Sequence, residues 1–392
     1  MKQSILSFLK NRSVAVKRIL VSFLLLTITG SSFFLLGNCL GTSSSSPNSN
    51  ISSVEGSDPI PAYHSRFGRK RPVIAVVGDN EYTELTDFVV PYGTLKEADI
   101  ADVYALGTQF GKMKMFPALS IEIQNTMQSF DSLYPEGADY VIVPAMHNSE
   151  NPEILLWLKK QSEKGATILG VCDGVWVLAN AGLLQGHQAT GHWFSLPKFD
   201  TKFPETKWIR NRRYVSDRKI ITTTGVTASI PVSLALIEAI AGKKQAMKVA
   251  ASLGAKDWKP THKSADFYLG SSHILTAAKN LLAFWSQDEI GIPISEGMDE
   301  ISLALVADSY SRTYKSTALS ISNANVRSKR GLLFLPDKKE KKADRILENW
   351  DRDLPVIALN RTLLEISDLY DIRTAAFVAL QIEYPWKKPE LF

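Results

Sequence analysis

The chain has 392 residues, 45% hydrophobic and 22% charged, an ordinary globular composition that excludes disorder, collagen or coiled coil as a description of the whole. Its net charge of +5 resides in Lys2, Lys10, Arg12, Lys17 and Arg18; beyond residue 38 bases and acids balance, which argues against a nucleic-acid partner held by phosphate neutralisation. Only two cysteines occur, Cys39 and Cys172, so a disulfide framework and a four-cysteine zinc site are excluded.

Residues 19–36, ILVSFLLLTITGSSFFLL, follow the basic cluster without a single charge, as an export signal or signal anchor does. The basic flank keeps the N-terminus in the cytoplasm and places the rest of the chain across the membrane. Leu35-Leu36-Gly37-Asn38-Cys39 resembles a lipoprotein cleavage box, with Asn38 where a small residue is usual, and makes Cys39 a lipidation candidate. A lipoprotein, an uncleaved anchor and a cleaved secretory signal remain open. The expectation is a membrane-anchored, extracytoplasmic protein, with a signal or anchor over 1–38. A flexible linker over 39–70 begins with the serine run Ser43–Ser46.

VIAVVG (73–78) is β-branched, short and closed by glycine, which predicts a buried parallel strand. Helix-like spacing follows over 83–98, then strands over 100–107, 119–124 and 139–144. Residues 151–164 read as a helix stopped by Gly165, 166–171 as a buried strand, and 175–181 as a short helix capped by Gly182. A hairpin over 214–224, turning at Ser216-Asp217, and a helix over 228–241 complete a domain over 71–255. This alternation predicts an α/β fold, a mostly parallel sheet sandwiched by helices. Residues 256–392 form a C-terminal α/β extension in which EISLALVA (300–307) echoes ELTDFVVP (84–91). Both segments are expected to precede a helix and a further strand. The extension is either a degenerate half-copy of the first domain or a chance match of two apolar helices. The basic run 210–213 reads as a solvated strand edge in preference to an anion site, and His262 and His273 lack the neighbours of a metal site.

Gly170-Val171-Cys172-Asp173-Gly174 joins a predicted strand to a predicted helix and has the form of a nucleophile elbow. Glycines on either side relieve the crowding of strand against helix. The helix N-terminus then favours thiolate at Cys172.

The stretch GVCDGVWVLANAGLLQGHQATGHW (170–193) resembles the central signature of the ThiJ/PfpI superfamily, on the class I glutamine amidotransferase-like, flavodoxin-like fold. The similarity is strongest to the branch of isocyanide hydratases and AraC-regulator sensor domains. It continues through YVSDRKIITTTGVTASIPVSLALIE (214–238) and spans roughly 71–255. The resemblance implies Cys172 as nucleophile and Asp87 as the acid that reaches the thiol. It implies His192 as a nearby histidine able to orient water or accept a proton, and Gly225, Val226 and Thr227 as pocket lining. Two departures weaken a catalytic site. Pro144-Ala145-Met146-His147 stands where the family places an oxyanion-hole glycine pair, with His147 a candidate polar substitute. Asp173 follows the thiol directly; its carboxylate either opposes the thiolate or caps the helix, while its N–H remains an oxyanion donor.

Three functional readings follow. One is a cysteine-dependent hydrolase or hydratase acting on a small carbonyl, amide or nitrile-like compound. The second is a non-catalytic ligand-binding or regulatory sensor on the same fold, and the third a cysteine redox sensor. No cofactor and no metal are implied. The expected partners are a small molecule and, through the N-terminus, a membrane; no nucleic acid is expected, and a homodimer has precedent in the family.

Overall fold

Strand β1 (Val73–Val77) is buried along its whole length, as an unbroken β-branched run between two layers requires. Ile74 and Val76 pack into one core, and Val73, Ala75 and Val77 into the other, the period-two alternation of a strand covered on both faces. The computed structural model describes residues 59–340 and 342–387. The expected signal or anchor, Cys39 and the linker up to residue 58 lie outside the described residues. Among the described residues no helix is long and apolar enough to cross a membrane.

Numbered in chain order, the strands that follow are β2 (Glu81–Glu84), β3 (Asp102–Gly107), β4 (Gly111–Phe116), β5 (Ser120–Ile123), β6 (Asn125–Thr126), β7 (Tyr140–Val143) and β8 (Thr167–Gly170). A two-strand ladder, β9 (Gln188–Ala189) with β10 (Lys207–Trp208), precedes β11 (Tyr214–Asp217) and β12 (Ile220–Thr223). The central sheet runs β11-β12-β8-β7-β1-β3-β6 and is parallel throughout except for the β11–β12 hairpin. That hairpin turns at Arg218, in left-handed conformation at φ 57°, just beyond the expected Ser216-Asp217. The helices are α1 (Leu85–Ala98), α2 (Met127–Leu133), α3 (Pro152–Glu163), α4 (Gly174–Asn180), α5 (Leu196–Lys202), α6 (Ser229–Ala241) and α7 (Lys243–Leu253). Helices α1, α6 and α7 cover one face of the sheet, and α3, α4 and α5 the other. The mostly parallel sheet between helices is the architecture expected.

The rest of the chain supplies α8 (Ser271–Leu282), β13 (Asp288–Pro293), α9 (Glu300–Ser311), β14 (Ser316–Ile321), β15 (Val326–Arg327), β16 (Leu333–Phe334), β17 (Arg345–Ile346), α10 (Pro355–Leu369) and α11 (Ile372–Gln381). The unit β13-α9-β14, with its strands parallel, has the same order as β1-α1-β3. Segments 84–91 and 300–307 do not precede these helices. They open them, because a carboxylate caps each start: Glu84 accepts the Asp87 N–H and Asp299 the Ser302 N–H. Each helix is followed closely by a non-glycine residue in left-handed conformation, Asp99 at φ 49° and Tyr314 at φ 60°. Helix α9 packs on α1. Strand β16 pairs antiparallel with β5, Phe334 opposite Ile121, and the Leu335 N–H bonds the Ser120 carbonyl at 2.9 Å. The extension thus shares a five-stranded sheet, β15-β16-β5-β4-β2, with the first domain, and all the described residues belong to one compact unit.

Candidate functional site

The chain leaves β8, bends at Val171-Cys172-Asp173 and enters α4 at Gly174. Cys172 takes φ 53°, a left-handed value that a non-glycine residue adopts only where its surroundings impose it. The Cys172 N–H donates to the Thr223 hydroxyl at 3.1 Å, and that hydroxyl donates to the Thr224 carbonyl at 2.9 Å. Gly174 passes so close to the end of β7 that an added Cβ would lie 2.1 Å from the Val143 carbonyl oxygen. At Gly170 the added atom would meet the Leu178 side chain at 3.0 Å and the Val175 backbone nitrogen only at 3.4 Å, an ordinary contact.

Asp87 sits in the first turn of α1 and is wholly buried. Its Oδ2 accepts the Ala145 N–H at 3.3 Å, while its Oδ1 is buried without a partner. The Glu84 cap accepts the Asp87 N–H at 2.6 Å and the Thr86 hydroxyl at 2.9 Å. Arg312, at the end of α9, joins this cluster from 228 residues along the chain. It donates to Glu84 at 2.6 Å and to both oxygens of Asp308 at 2.9 Å.

This charge arrangement opposes a thiolate. Burial, then the carboxylates of Asp87, Asp173 and Glu84, push the Cys172 thiol well above its ordinary value, and the Asp173 N–H resists only in part. Burial and the neighbouring Glu84 likewise push Asp87 well up. Burial and Asp308 push Glu84 up to about 7 against the pull of Arg312. Burial works against the charge on Arg312, yet Asp308 and Glu84 hold it firmly protonated. The helix N-terminus that favours a thiolate thus acts against burial and three acids. Helix α4 has only seven residues, and the sulfur is 7% exposed with three acids acting on it. Asp173 occupies the cap position of α4 but makes no cap bond, and its Oδ1 is buried without a partner.

The other expected site residues divide. The Ala145 N–H is engaged by Asp87 rather than free for an oxyanion, and the Ala145 carbonyl accepts the Glu84 N–H at 2.9 Å. Met146 is buried and bridges to Thr83. His147 stacks on Tyr82, ring centroids 5.1 Å apart, and burial lowers its pKa. His192 is turned to structural work: its Nε2 lies 3.1 Å from the Gln381 carbonyl, so it carries the proton and donates. Gly225 and Thr227 are bound to the same C-terminal segment. The Gly225 N–H donates to Glu383 Oε2 at 2.7 Å, the Thr227 hydroxyl to the Glu383 carbonyl at 2.7 Å, and the Thr227 N–H to the Ile382 carbonyl at 3.2 Å. Val226 and Thr227 line a cavity there, and Gly225 is not among its lining residues. The structure thus joins Asp87, Ala145 and Glu84 in one network near the thiol, and His192, Gly225 and Thr227 in another around Glu383. Sequence reasoning passed over Arg312, Glu84, Thr223 and Glu383. The echo over 300–307 pointed at the right helix, but Arg312 lies beyond it. Among the described residues no group of three or more His, Cys, Asp or Glu side chains is arranged to hold a metal ion.

Residues 73–239 match the model of the DJ-1/PfpI family. The HTH-type transcriptional regulator CdhR of Pseudomonas aeruginosa is 37% identical over 98 residues, 25% of this chain and 29% of the regulator. Isonitrile hydratase of Pseudomonas putida is 33% identical over 101 residues, 26% of this chain and 42% of the hydratase. The chain therefore spans less than half the length of either relative. Among solved structures, DJ-1beta of Drosophila melanogaster aligns over 47% of this chain and 99% of its own, at 20% identity and a TM-score of 0.43.

Proposed function

Because residues 73–239 are a DJ-1/PfpI family domain, we propose that this chain uses it as a ligand-binding regulatory sensor rather than as a thiolate enzyme. One observation carries this reading: Cys172 is only 7% exposed, and burial together with Asp87, Asp173 and Glu84 pushes its thiol well above the ordinary value. Acids crowd it, and Arg312, the cation of the cluster, is already paired with Glu84 and Asp308. A nucleophilic cysteine needs the opposite environment, a cation or an unopposed helix N-terminus. Relatives named as transcriptional regulators favour a regulatory role and weaken the expectation that no nucleic acid is a partner; the balanced charge of the body still supports that expectation.

The test is alkylation of Cys172 by iodoacetamide as a function of pH, in a Cys39→Ala background. The rate is expected to rise with an apparent pKa above the ordinary ~8.5. A midpoint below 7 would overturn the sensor reading.

One observation favours a second reading, a hydratase. The Asp87 carboxyl, whose Oδ1 is buried without a partner and whose pKa burial and Glu84 push well up, can supply a proton beside the elbow, and one relative is named an isonitrile hydratase. Hydration of an alkyl isonitrile adds one water across the carbon–nitrogen group and yields the N-alkylformamide. Turnover that disappears in Cys172→Ala, with the protein still folded, would promote this reading over the first.

The membrane-tethered, extracytoplasmic placement belongs to the same proposal and rests on residues 19–39. The full chain is expected in the membrane fraction, and Cys39→Ala is expected to weaken that association if the cysteine is lipidated. Recovery of the full chain from the soluble cytoplasmic fraction would dispose of it.

A further inference from the structure

The turn whose Thr223 receives the Cys172 amide leads into the wall of a cavity of about 520 Å³, and Cys172 is not among the residues lining it. Both halves of the chain build this cavity. Val90, Ile230, Leu305 and Leu359, from four different helices, give it an apolar interior. Arg213, His262, Asn360 and Glu383 supply its polar groups.

Most of those polar groups are already satisfied. Glu383 is buried; its Oε2 accepts the Gly225 N–H, and its Oε1 is bonded to His262 Nε2 at 2.8 Å. Asn360 Oδ1 accepts the Tyr384 hydroxyl at 2.9 Å, and its Nδ2 donates to the Val356 carbonyl at 3.3 Å. Lys256 and Asp257, of opposite charge, sit exposed among the lining residues. Arg213 differs. It is half-buried, and among the described residues its guanidinium makes no hydrogen bond or ion pair, although its charge is felt by the Tyr214 and Tyr384 hydroxyls. The basic run 210–213 is therefore not simply a solvated strand edge: Arg210 pairs with Asp200, while Arg213 lines the cavity.

A guanidinium at an apolar cavity, with no carboxylate of its own, matches a ligand that brings the carboxylate. We propose that this cavity binds a small organic carboxylate with an apolar body, its carboxylate on Arg213 and its body among Val90, Leu305 and Leu359. A cavity of this size accommodates a small ligand and buries most of its surface. The site stands on its own residues whether or not Cys172 turns over substrate, so its failure and that of the sensor reading are separately visible.

The probe is 3-phenylpropanoate, titrated calorimetrically into the full chain in lipid nanodiscs, with 3-phenylpropanamide as the neutral isostere and empty nanodiscs subtracted. The carboxylate is expected to bind saturably and at least tenfold more tightly than the amide. Arg213→Gln is expected to erase that preference. Leu359→Trp, which fills the cavity, is expected to abolish binding of both. Should the tryptophan variant misfold, Arg213→Gln decides alone, because the Arg213 side chain lies half-exposed and makes no described hydrogen bond, while the backbone bonds of Arg213 to Pro260 and Thr224 survive the substitution. No saturable binding of 3-phenylpropanoate, equal affinity for acid and amide, or unchanged preference in Arg213→Gln would each overturn the proposal.

Discussion

Replacing Arg312 by methionine is expected to destabilise the protein by about 3–5 kcal/mol at pH 8, the usual cost of removing one partner from a buried ion cluster. The side chain links the end of α9 to the cap of α1 through Glu84 and Asp308, and both carboxylates are nearly inaccessible. Without it they are left buried, charged and uncompensated. The pH dependence follows from the direction of their shifts. Glu84 is pushed up to about 7 and Asp308 is also raised, so between the unfolded and folded values the native state holds more protons than the unfolded chain. This contribution to stability is complete below the unfolded value of 4.5 and is lost as pH rises through about 7. Removing the guanidinium raises both carboxyl groups further and extends the loss to higher pH. The deficit of the variant should therefore be large at pH 8 and smaller at pH 5, where protonation relieves the uncompensated carboxylates. Urea unfolding at the two pH values reads this directly. A deficit of equal size at both would show that Arg312 acts by packing and not by charge.

Gly174→Ala is expected to destabilise by about 3 kcal/mol, near the upper end for an overpacked site. The new methyl would lie 2.1 Å from the Val143 carbonyl oxygen and 2.8 Å from the Pro144 carbonyl carbon. These are backbone atoms at the end of a central strand, so neither side can give way cheaply. Gly170→Ala, which meets a leucine side chain at 3.0 Å, should cost about 1 kcal/mol because that chain can shift rotamer. Thermal melts of the two variants test the contrast. Equal losses would mean that the elbow is set by something other than the approach of α4 to β7.

The buried strands and the elbow were legible because local rules govern them. A β-branched run ending at glycine packs as a two-sided strand wherever helices cover it, and glycines flanking one residue mark a sharp strand-to-helix turn. Strand β4 was missed although its alternation is plain, with Met113 and Met115 buried and Lys112 and Lys114 outward. The lysines interrupt the apolar run by which the other strands were read, although β4 lies between β5 and β2 in its sheet. Within the extension, the echo at 300–307 was visible, but the pairing of β16 with β5 was not. Two-residue strands carry no periodicity, and backbone pairing leaves little trace in side-chain pattern.

Composition, periodicity and glycine spacing were enough to specify an α/β body with a cysteine held at a bend, since these follow from sterics and solvent exclusion within a few residues. The protonation state of that cysteine followed from none of them. It depends on how deeply the sulfur is buried and on which charges stand nearby, and those charges come from α1, from Asp173 and, through Arg312, from a helix 228 residues away. His192 shows the same divide: its motif is local, but its hydrogen-bond partner lies 189 residues on. Electrostatic energy is a function of distance in space, and separation along a chain does not reveal that distance until the chain has folded.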